Sequence, residues 1–149
     1  MVETVLCYIE KNDEYLMLHR NKEADDMNTG KWLGIGGHIE ENESPDEAVI
    51  REVLEETGLT LQAYKKAGIV DFVNDDYIER MHLYTADKFA GEMIECDEGE
   101  LSWIPKNKIL SLNIWEGDRV FLEKLSKNEP YFEIRLIYNN DKFIRSEEK

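Results

Sequence analysis

Residues 37–59 read GHIEENESPDEAVIREVLEETGL, and this stretch carries the clearest structural signal in the chain. Ser44 is a typical N-cap residue, Pro45 suits the first helical position, and Glu47 completes a capping box. Gly58 is the residue type that commonly ends a helix. The pattern therefore predicts a helix over residues 44–57, preceded by the short Gly-rich segment WLGIGGHI at residues 32–39.

The predicted helix concentrates acid on one side. At about 100° per residue, Glu52, Glu55 and Glu56 lie together at positions i, i+3 and i+4. A solvated face is the ordinary explanation of such a cluster, but a solvated face usually interleaves Lys, and this helix contains none. We therefore interpret the three carboxylates as a candidate site for a hard divalent cation, Mg²⁺ or Mn²⁺. We expect the small Ala48 to lie within the acidic face. The apolar face should comprise Val49, Ile50, Val53, Leu54 and Thr57.

Composition and charge limit the classes of function. The chain has 149 residues, which fits a single domain over residues 1–149, and a net charge of −15. That charge disfavours nucleic acid and anionic membranes as partners, because both are bound mainly through Lys and Arg. We expect no membrane span, no secretory leader at the start, and reduced thiols at Cys7 and Cys96, and hence a cytoplasmic protein.

The order of predicted elements is mixed, without regular alternation of strands and helices. We expect an α+β fold, an α/β/α sandwich on a mixed sheet. Polar turns at KNDE and NND predict two hairpins, and NDD joins two further extended runs. Strands are predicted at residues 4–10, 15–20, 32–39, 59–73, 77–91, 100–105, 131–138 and 142–145, and further helices at 105–112 and 116–128.

The acidic stretch resembles the signature of the Nudix hydrolases: Gly37, five residues, Glu43, seven residues, then REVLEETGL at residues 51–59. Every fixed position of that signature matches. The resemblance implies that Gly37 lets the loop turn and approach the helix, that Glu43 and Arg51 form an ion pair that structures the loop, and that Gly58 ends the helix. It also implies that Glu52, Glu55 and Glu56 hold Mg²⁺, or Mn²⁺ in its place, for hydrolysis of a phosphoric anhydride.

Outside the signature, the chain more loosely resembles the Nudix branch that hydrolyses oxidised purine nucleoside triphosphates, including 8-oxo-dGTP, to the monophosphate and pyrophosphate. Glu98 of this chain matches an acid that the branch uses near the metal, and Glu100 is the alternative match. Trp115 matches an aromatic residue that stacks on the base, although a core tryptophan is an equal alternative. Asp118 matches one of two acids that read the purine edge. Leu33 stands where the branch has an Asn that reads the base, and Gly117 stands where it has the first of the two acids. These two replacements predict weaker selectivity for 8-oxoguanine.

Several alternatives remain open from the sequence. The substrate could be ADP-ribose, a dinucleoside polyphosphate or a sugar nucleotide, although ADP-ribose hydrolases commonly carry an extra N-terminal region. A nucleotide-sensing module without catalysis is disfavoured by the three intact acids, and RNA-cap hydrolysis by the charge. Arg20, Lys22 and His38 could approach a phosphate, with solvated surface as the simpler explanation. We expect a small nucleotide as the partner and a monomer or weak homodimer.

Overall fold

The structure, a computed structural model, describes residues 1–21 and 27–149. Helix α1 spans Pro45–Thr57, helix α2 spans Asp118–Ser126, and a 3₁₀ helix spans Lys106–Ser111. The strands are β1 (Val2–Lys11), β2 (Glu14–His19), β3 (Trp32–Leu33), β4 (Ile35–His38), β5 (Thr60–Asn74), β6 (Tyr77–Ala90), β7 (Glu100–Pro105), β8 (Phe132–Asn139) and β9 (Lys142–Glu148).

Three hairpins form at the predicted polar turns. Asn12 and Asp13 between β1 and β2, and Asn140 and Asp141 between β8 and β9, all have positive φ. Two such residues in succession make the turn whose twist matches paired strands, and Asn and Asp tolerate this conformation. Asp75, also at positive φ, lies in the turn between β5 and β6.

The strands form one mixed sheet in the order β3-β2-β1-β6-β5-β8-β9, with β4 beside β1 and β7 beside β2. The β1–β6 and β5–β8 pairs are parallel, and the other pairs are antiparallel. Apolar clusters lie on both faces. One holds Val49 and Val53 of α1, and the other holds Ile109, Phe121 and Leu122 of the 3₁₀ helix and α2. The predicted α/β/α sandwich is therefore confirmed.

Helix α1 begins and ends where the sequence predicts. The Ser44 side chain accepts a hydrogen bond from the Glu47 backbone, the Glu47 side chain accepts one from the Ser44 backbone, and Gly58 has a left-handed φ of 82°. A side chain at Gly58 would also collide with the backbone oxygen of Glu92, since its Cβ would lie 2.5 Å from that atom. Only glycine therefore meets both requirements at this helix end.

The predicted faces of α1 are partly wrong. Ala48 is fully buried instead of lying on an open acidic face, whereas Leu54 is 48% exposed. At about 100° per residue, Glu56 lies about 20° from Val49 around the helix axis, and Leu54 lies about 140° away. Packing of the Val49 side of the helix on the sheet therefore carries Glu56 inward and leaves Leu54 in water.

No helix in the described ranges is both long enough and apolar enough to cross a membrane.

Candidate active site

A cavity of about 540 Å³ is lined by residues of strands β1, β4, β5 and β6, of helix α1 and of the segment before α2. This volume falls in the range of small-molecule sites. The charged side chains of its lining, among them Arg51, Glu52, Glu56 and Glu98, interact with one another and form one end. Apolar and aromatic side chains of one core cluster, which include Leu33, Phe72 and Trp115, form the other end. The cavity thus has one end suited to charged groups and one end suited to a ring.

Glu56 is the most deeply buried acid at the charged end. Its side chain comes from α1, the residue is only 7% exposed, and within the described part of the chain its Oε1 has no hydrogen-bond partner. Burial raises the pKa of the Glu56 carboxyl well above its ordinary value, and the charges of Glu98 and Glu52 raise it further. A buried carboxyl oxygen without a partner is costly, so the fold maintains a group here that requires a ligand or a proton.

Glu55 occupies a different position from its two neighbours. Its side chain is 59% exposed, it forms an ion pair with Arg51 at 3.1 Å, and it does not line the cavity. Glu98, which lies between β6 and β7, lines the cavity and faces Arg20, with 3.5 Å between Arg20 Nε and Glu98 Oε1. Glu100 is exposed on β7 and accepts a hydrogen bond from Asn21. The structure therefore brings together Glu52, Glu56 and Glu98, with Glu55 at the outer side of the helix.

The three carboxylates fit a hard divalent cation by their chemistry, because Mg²⁺ and Mn²⁺ prefer oxygen ligands. The unpartnered, buried Oε1 of Glu56 is the observation that supports this fit. Among the described residues, no three acidic, His or Cys side chains are already arranged around one point as metal ligands. The reason is local: Glu52 turns toward Arg51 and Glu98 toward Arg20. Both carboxylates also lie beside Glu56, whose pKa they raise, so a cation bound here would replace their contacts with the two arginines.

Arg51 connects the helix to the preceding loop. Its guanidinium donates to both oxygens of Glu43, at 2.7 and 2.9 Å, and to the backbone oxygen of His38 at 3.0 Å. The same group donates to Glu52 at 2.9 Å. The hydrogen bonds from Arg51, with one from the Glu40 backbone, lower the pKa of Glu43 to about 2. Arg51 therefore holds the loop against α1 while it orients Glu52.

Gly37 lies within strand β4, beside Val5, and not at a loop turn as the sequence suggested. Its φ lies outside the left-handed region, so flexibility does not explain the glycine. A Cβ at this position would stand 2.6 Å from two atoms of the Glu52 carboxylate. The glycine instead leaves the space into which Glu52 packs.

Trp115 belongs both to the core and to the cavity wall. It is 6% exposed, packs edge-on against Phe72 and Tyr138, and donates from its indole nitrogen to Asn28 at 2.8 Å. The Lys31 amine lies 5.0 Å from the ring centroid. The two readings of Trp115 are thus compatible, because one residue can fill the core and present a surface to a ligand.

Asp118 and Leu33 line the same end of the cavity as Trp115. Asp118 is 5% exposed at the start of α2, and burial, followed by the charge of Glu79, raises the pKa of its carboxyl to about 8. Gly117 offers no side chain there. A Cβ on it would lie 2.7 Å from the Tyr138 hydroxyl, which accepts the backbone N–H of Gly117.

Glu79 is a cavity residue that the sequence reasoning missed. The signal was present, because Tyr77, Glu79 and Met81 alternate along β6 and must share one face of the strand. All three line the cavity. Among the other candidates, Arg20 and His38 also line it, whereas Lys22 lies outside the described residues.

This fold, with an acid-bearing helix after a Gly-containing strand and a cavity against the sheet, defines a Nudix-type hydrolase domain. The model of the NUDIX domain family matches residues 2–125. The chain therefore belongs to the NUDIX domain family, and the predicted class, a MutT-like Nudix hydrolase acting on phosphoric anhydrides, is confirmed at the level of the family.

Individual relatives share 25–35% of their residues with this chain. An oxidized purine nucleoside triphosphate hydrolase of Danio rerio is 35% identical over 91 residues, which cover 60% of this chain and 58% of that protein. An uncharacterized Nudix hydrolase of Bacillus subtilis is 30% identical over 129 residues, 83% of this chain and 78% of the relative. The crystal structure of a MutT protein from Bacillus halodurans superimposes with a TM-score of 0.88 at 25% identity, over 99% of this chain and 97% of that one.

Proposed function

We propose that the protein hydrolyses purine nucleoside triphosphates, including 8-oxo-dGTP, to the monophosphate and pyrophosphate in the presence of Mg²⁺. The observation that carries the proposal is the two-ended cavity, which joins the carboxylates of Glu52, Glu56 and Glu98 at one end to Trp115 and Asp118 at the other. The similarity to a Danio rerio protein named as an oxidized purine nucleoside triphosphate hydrolase supports the same substrate class.

The charged end would carry the chemistry. Glu52, Glu56 and Glu98 would hold the cation from the cavity wall. Glu55 remains a predicted ligand, but its carboxylate lies outside the cavity in an ion pair with Arg51 and would have to leave that pair to reach the cation. A bound Mg²⁺ neutralises phosphate oxygens and lowers the pKa of a coordinated water. Arg51 and Glu43 keep α1 and the loop in position, and Gly37 keeps the space for Glu52.

The same arrangement explains how an acidic protein takes an anionic substrate. With a net charge of −15, the chain would repel a triphosphate unless cations lay between the two. Positioning and charge stabilisation account for most of the catalysis of phosphoryl transfer, so the protein needs no covalent nucleophile. Water adds to phosphorus, pyrophosphate leaves, and the proton from water passes to a carboxylate or to solvent.

The other end would hold the base. Trp115 offers an aromatic surface, and stacking tolerates any base. Leu33 and Gly117 contribute no hydrogen-bonding side chain to the base. We therefore expect the ratio of kcat/KM for 8-oxo-dGTP to that for dGTP to be smaller than in an enzyme dedicated to 8-oxo-dGTP. We further infer a single domain over residues 1–149 that works as a monomer or weak homodimer in the cytoplasm. The thiols of Cys7 and Cys96 are buried and form no disulfide within the described residues, which agrees with a reducing compartment.

A substrate panel tests the proposal. We would measure kcat/KM, with chromatography of the products, for 8-oxo-dGTP, dGTP, dATP, dCTP, ADP-ribose, a dinucleoside polyphosphate and a sugar nucleotide. We expect the purine triphosphates to yield monophosphate and pyrophosphate, EDTA to abolish turnover, and Mg²⁺ or Mn²⁺ to restore it. Turnover of ADP-ribose or a sugar nucleotide alone would reassign the substrate. Tight nucleotide binding without any turnover would point to a sensing module.

A further inference from the structure

A carboxylate projects into the otherwise mainly apolar end of the cavity. Glu79 lies on β6 between Tyr77 and Met81, and all three side chains line the cavity. A charged group on such a wall is costly unless it is hydrogen-bonded. Thr4 Oγ1 donates to Glu79 Oε2 at 2.7 Å, and the Tyr77 hydroxyl donates to Glu79 Oε1 at 2.7 Å. The two hydroxyls therefore fix the orientation of the carboxylate.

These contacts leave Glu79 with spare acceptor capacity. An ionised carboxylate has about four acceptor sites, two on each oxygen. The Thr4 and Tyr77 hydroxyls use one site on each oxygen, so each oxygen retains one. In the described part of the chain, the hydrogen-bond partners of Glu79 are these hydroxyls and not a Lys or Arg. The carboxylate is thus positioned and able to accept two parallel hydrogen bonds from a ligand.

A second acid at the same end of the cavity has the opposite character. Asp118 is buried, and burial together with the Glu79 charge raises the pKa of its carboxyl to about 8. Near neutral pH, Asp118 therefore keeps its proton and can donate a hydrogen bond. A ring held between the two would meet a pure acceptor at Glu79 and a donor-acceptor group at Asp118.

We propose that Glu79 is a specificity-determining residue that accepts two hydrogen bonds from a base edge with adjacent N–H donors, as guanine presents at N1 and its 2-amino group. The inference rests on the proposed function and names the base class for the same cavity. Adenine places an acceptor, N1, beside its amino group, so one Glu79 oxygen would face a lone pair. Oxidation at C8 lies on the other ring and leaves the donor edge intact, so 8-oxo-dGTP and dGTP would share this contact.

The test is the nearly isosteric variant Glu79→Gln, in which one acceptor oxygen becomes an amino donor. Gln matches the donor-acceptor edge of adenine and opposes the donor-donor edge of guanine. We expect kcat/KM for dGTP to fall about 10-fold to 100-fold, the loss of one bidentate contact. The value for dATP should stay constant or rise. Wild type should also favour dGTP over dITP, which lacks the 2-amino group, and this preference should shrink in the variant.

Glu3→Gln is the matched control. Glu3 lies on β1, where it pairs with His82 at 3.0 Å, and it does not line the cavity. The control removes one negative charge from a neighbouring strand, so it should leave the dGTP-to-dATP ratio unchanged. The melting temperatures of both variants show whether either change affects the fold.

Direct binding separates this inference from the proposed hydrolysis. Calorimetric titration of wild type and Glu79→Gln with dGMP, dIMP and dAMP needs no turnover. Selective loss of dGMP binding in the variant would support the role of Glu79 even if no triphosphate were hydrolysed, and the proposed function alone would then fail. Equal losses for all bases, an unchanged dGMP-to-dAMP ratio, or no nucleotide binding by wild type would each overturn the inference.

Discussion

The substitution Asp118→Asn tests the ionisation of the buried acid directly. Asp118 has a pKa raised from 3.8 to about 8, chiefly because burial disfavours the charged form. A raised pKa means that the folded protein retains a proton which the unfolded chain releases. The contribution of Asp118 to stability is therefore fully present below pH 3.8 and is lost as the pH rises toward 8.

The magnitude follows from the same shift. Between pH 5 and pH 7 the folded state holds the proton and the unfolded state does not, so the loss is about 1.4 kcal/mol per pH unit, or about 2.7 kcal/mol over the interval. The Asn variant has no such proton. Wild type should therefore lose about 2.7 kcal/mol more unfolding free energy than Asp118→Asn between the two pH values, whatever the absolute effect of the substitution.

Urea denaturation of both proteins in EDTA at pH 5 and pH 7 measures this difference. Other titrating groups, Glu56 among them, contribute equally to both proteins and cancel. Asp87→Asn, which removes an exposed carboxyl on the same sheet, is the matched surface control. A constant difference for Asp118→Asn would refute the conclusion that Asp118 is held neutral.

Two further predictions concern the charged end of the cavity. Glu56→Gln should reduce Mg²⁺-dependent turnover by orders of magnitude, because it removes a predicted metal ligand. Its melting temperature in EDTA should stay the same or rise, because the buried carboxyl no longer has to be kept protonated. Turnover at the wild-type rate would show that Glu56 is not part of the metal site. Gly37→Ala places a methyl group 2.6 Å from the Glu52 carboxylate, which can turn away. Its kcat/KM should fall about 10-fold to 100-fold with the fold intact, whereas unchanged kinetics would contradict the packing role of Gly37.

Local sequence was sufficient wherever neighbouring residues determine the structure. The capping box of Ser44 and Glu47 and the helix end at Gly58 depend on contacts within a few residues, and both formed where predicted. The two predicted hairpins and the junction at NDD followed from Asn and Asp in polar turns for the same reason. The signature spacing from Gly37 to Leu59 also identified the family, because it fits one strand–loop–helix unit.

The assignment of α1 side chains to inside and outside needed the tertiary structure. The sequence grouped Glu52, Glu55 and Glu56 on one open face and placed Leu54 in the core. The rotation of α1 against the sheet buries Glu56, exposes Leu54 and leaves Glu55 beside Arg51. That rotation depends on which side chains of the sheet receive the helix, and they come from distant parts of the chain.

The sequence by itself determined the class of protein, the acidic helix and the acids available to hold a cation. Only the tertiary structure decided that Glu98 and not Glu100 joins Glu52 and Glu56, and that Glu79 shares a cavity with Asp118. Strand pairing and register determine which distant residues lie side by side. For example, Val2 of β1 and Glu79 of β6 are neighbours in the sheet although they are 77 residues apart in the chain. Periodicity within a strand tells which residues share a face, but the partners of that face are set by how separate segments pack.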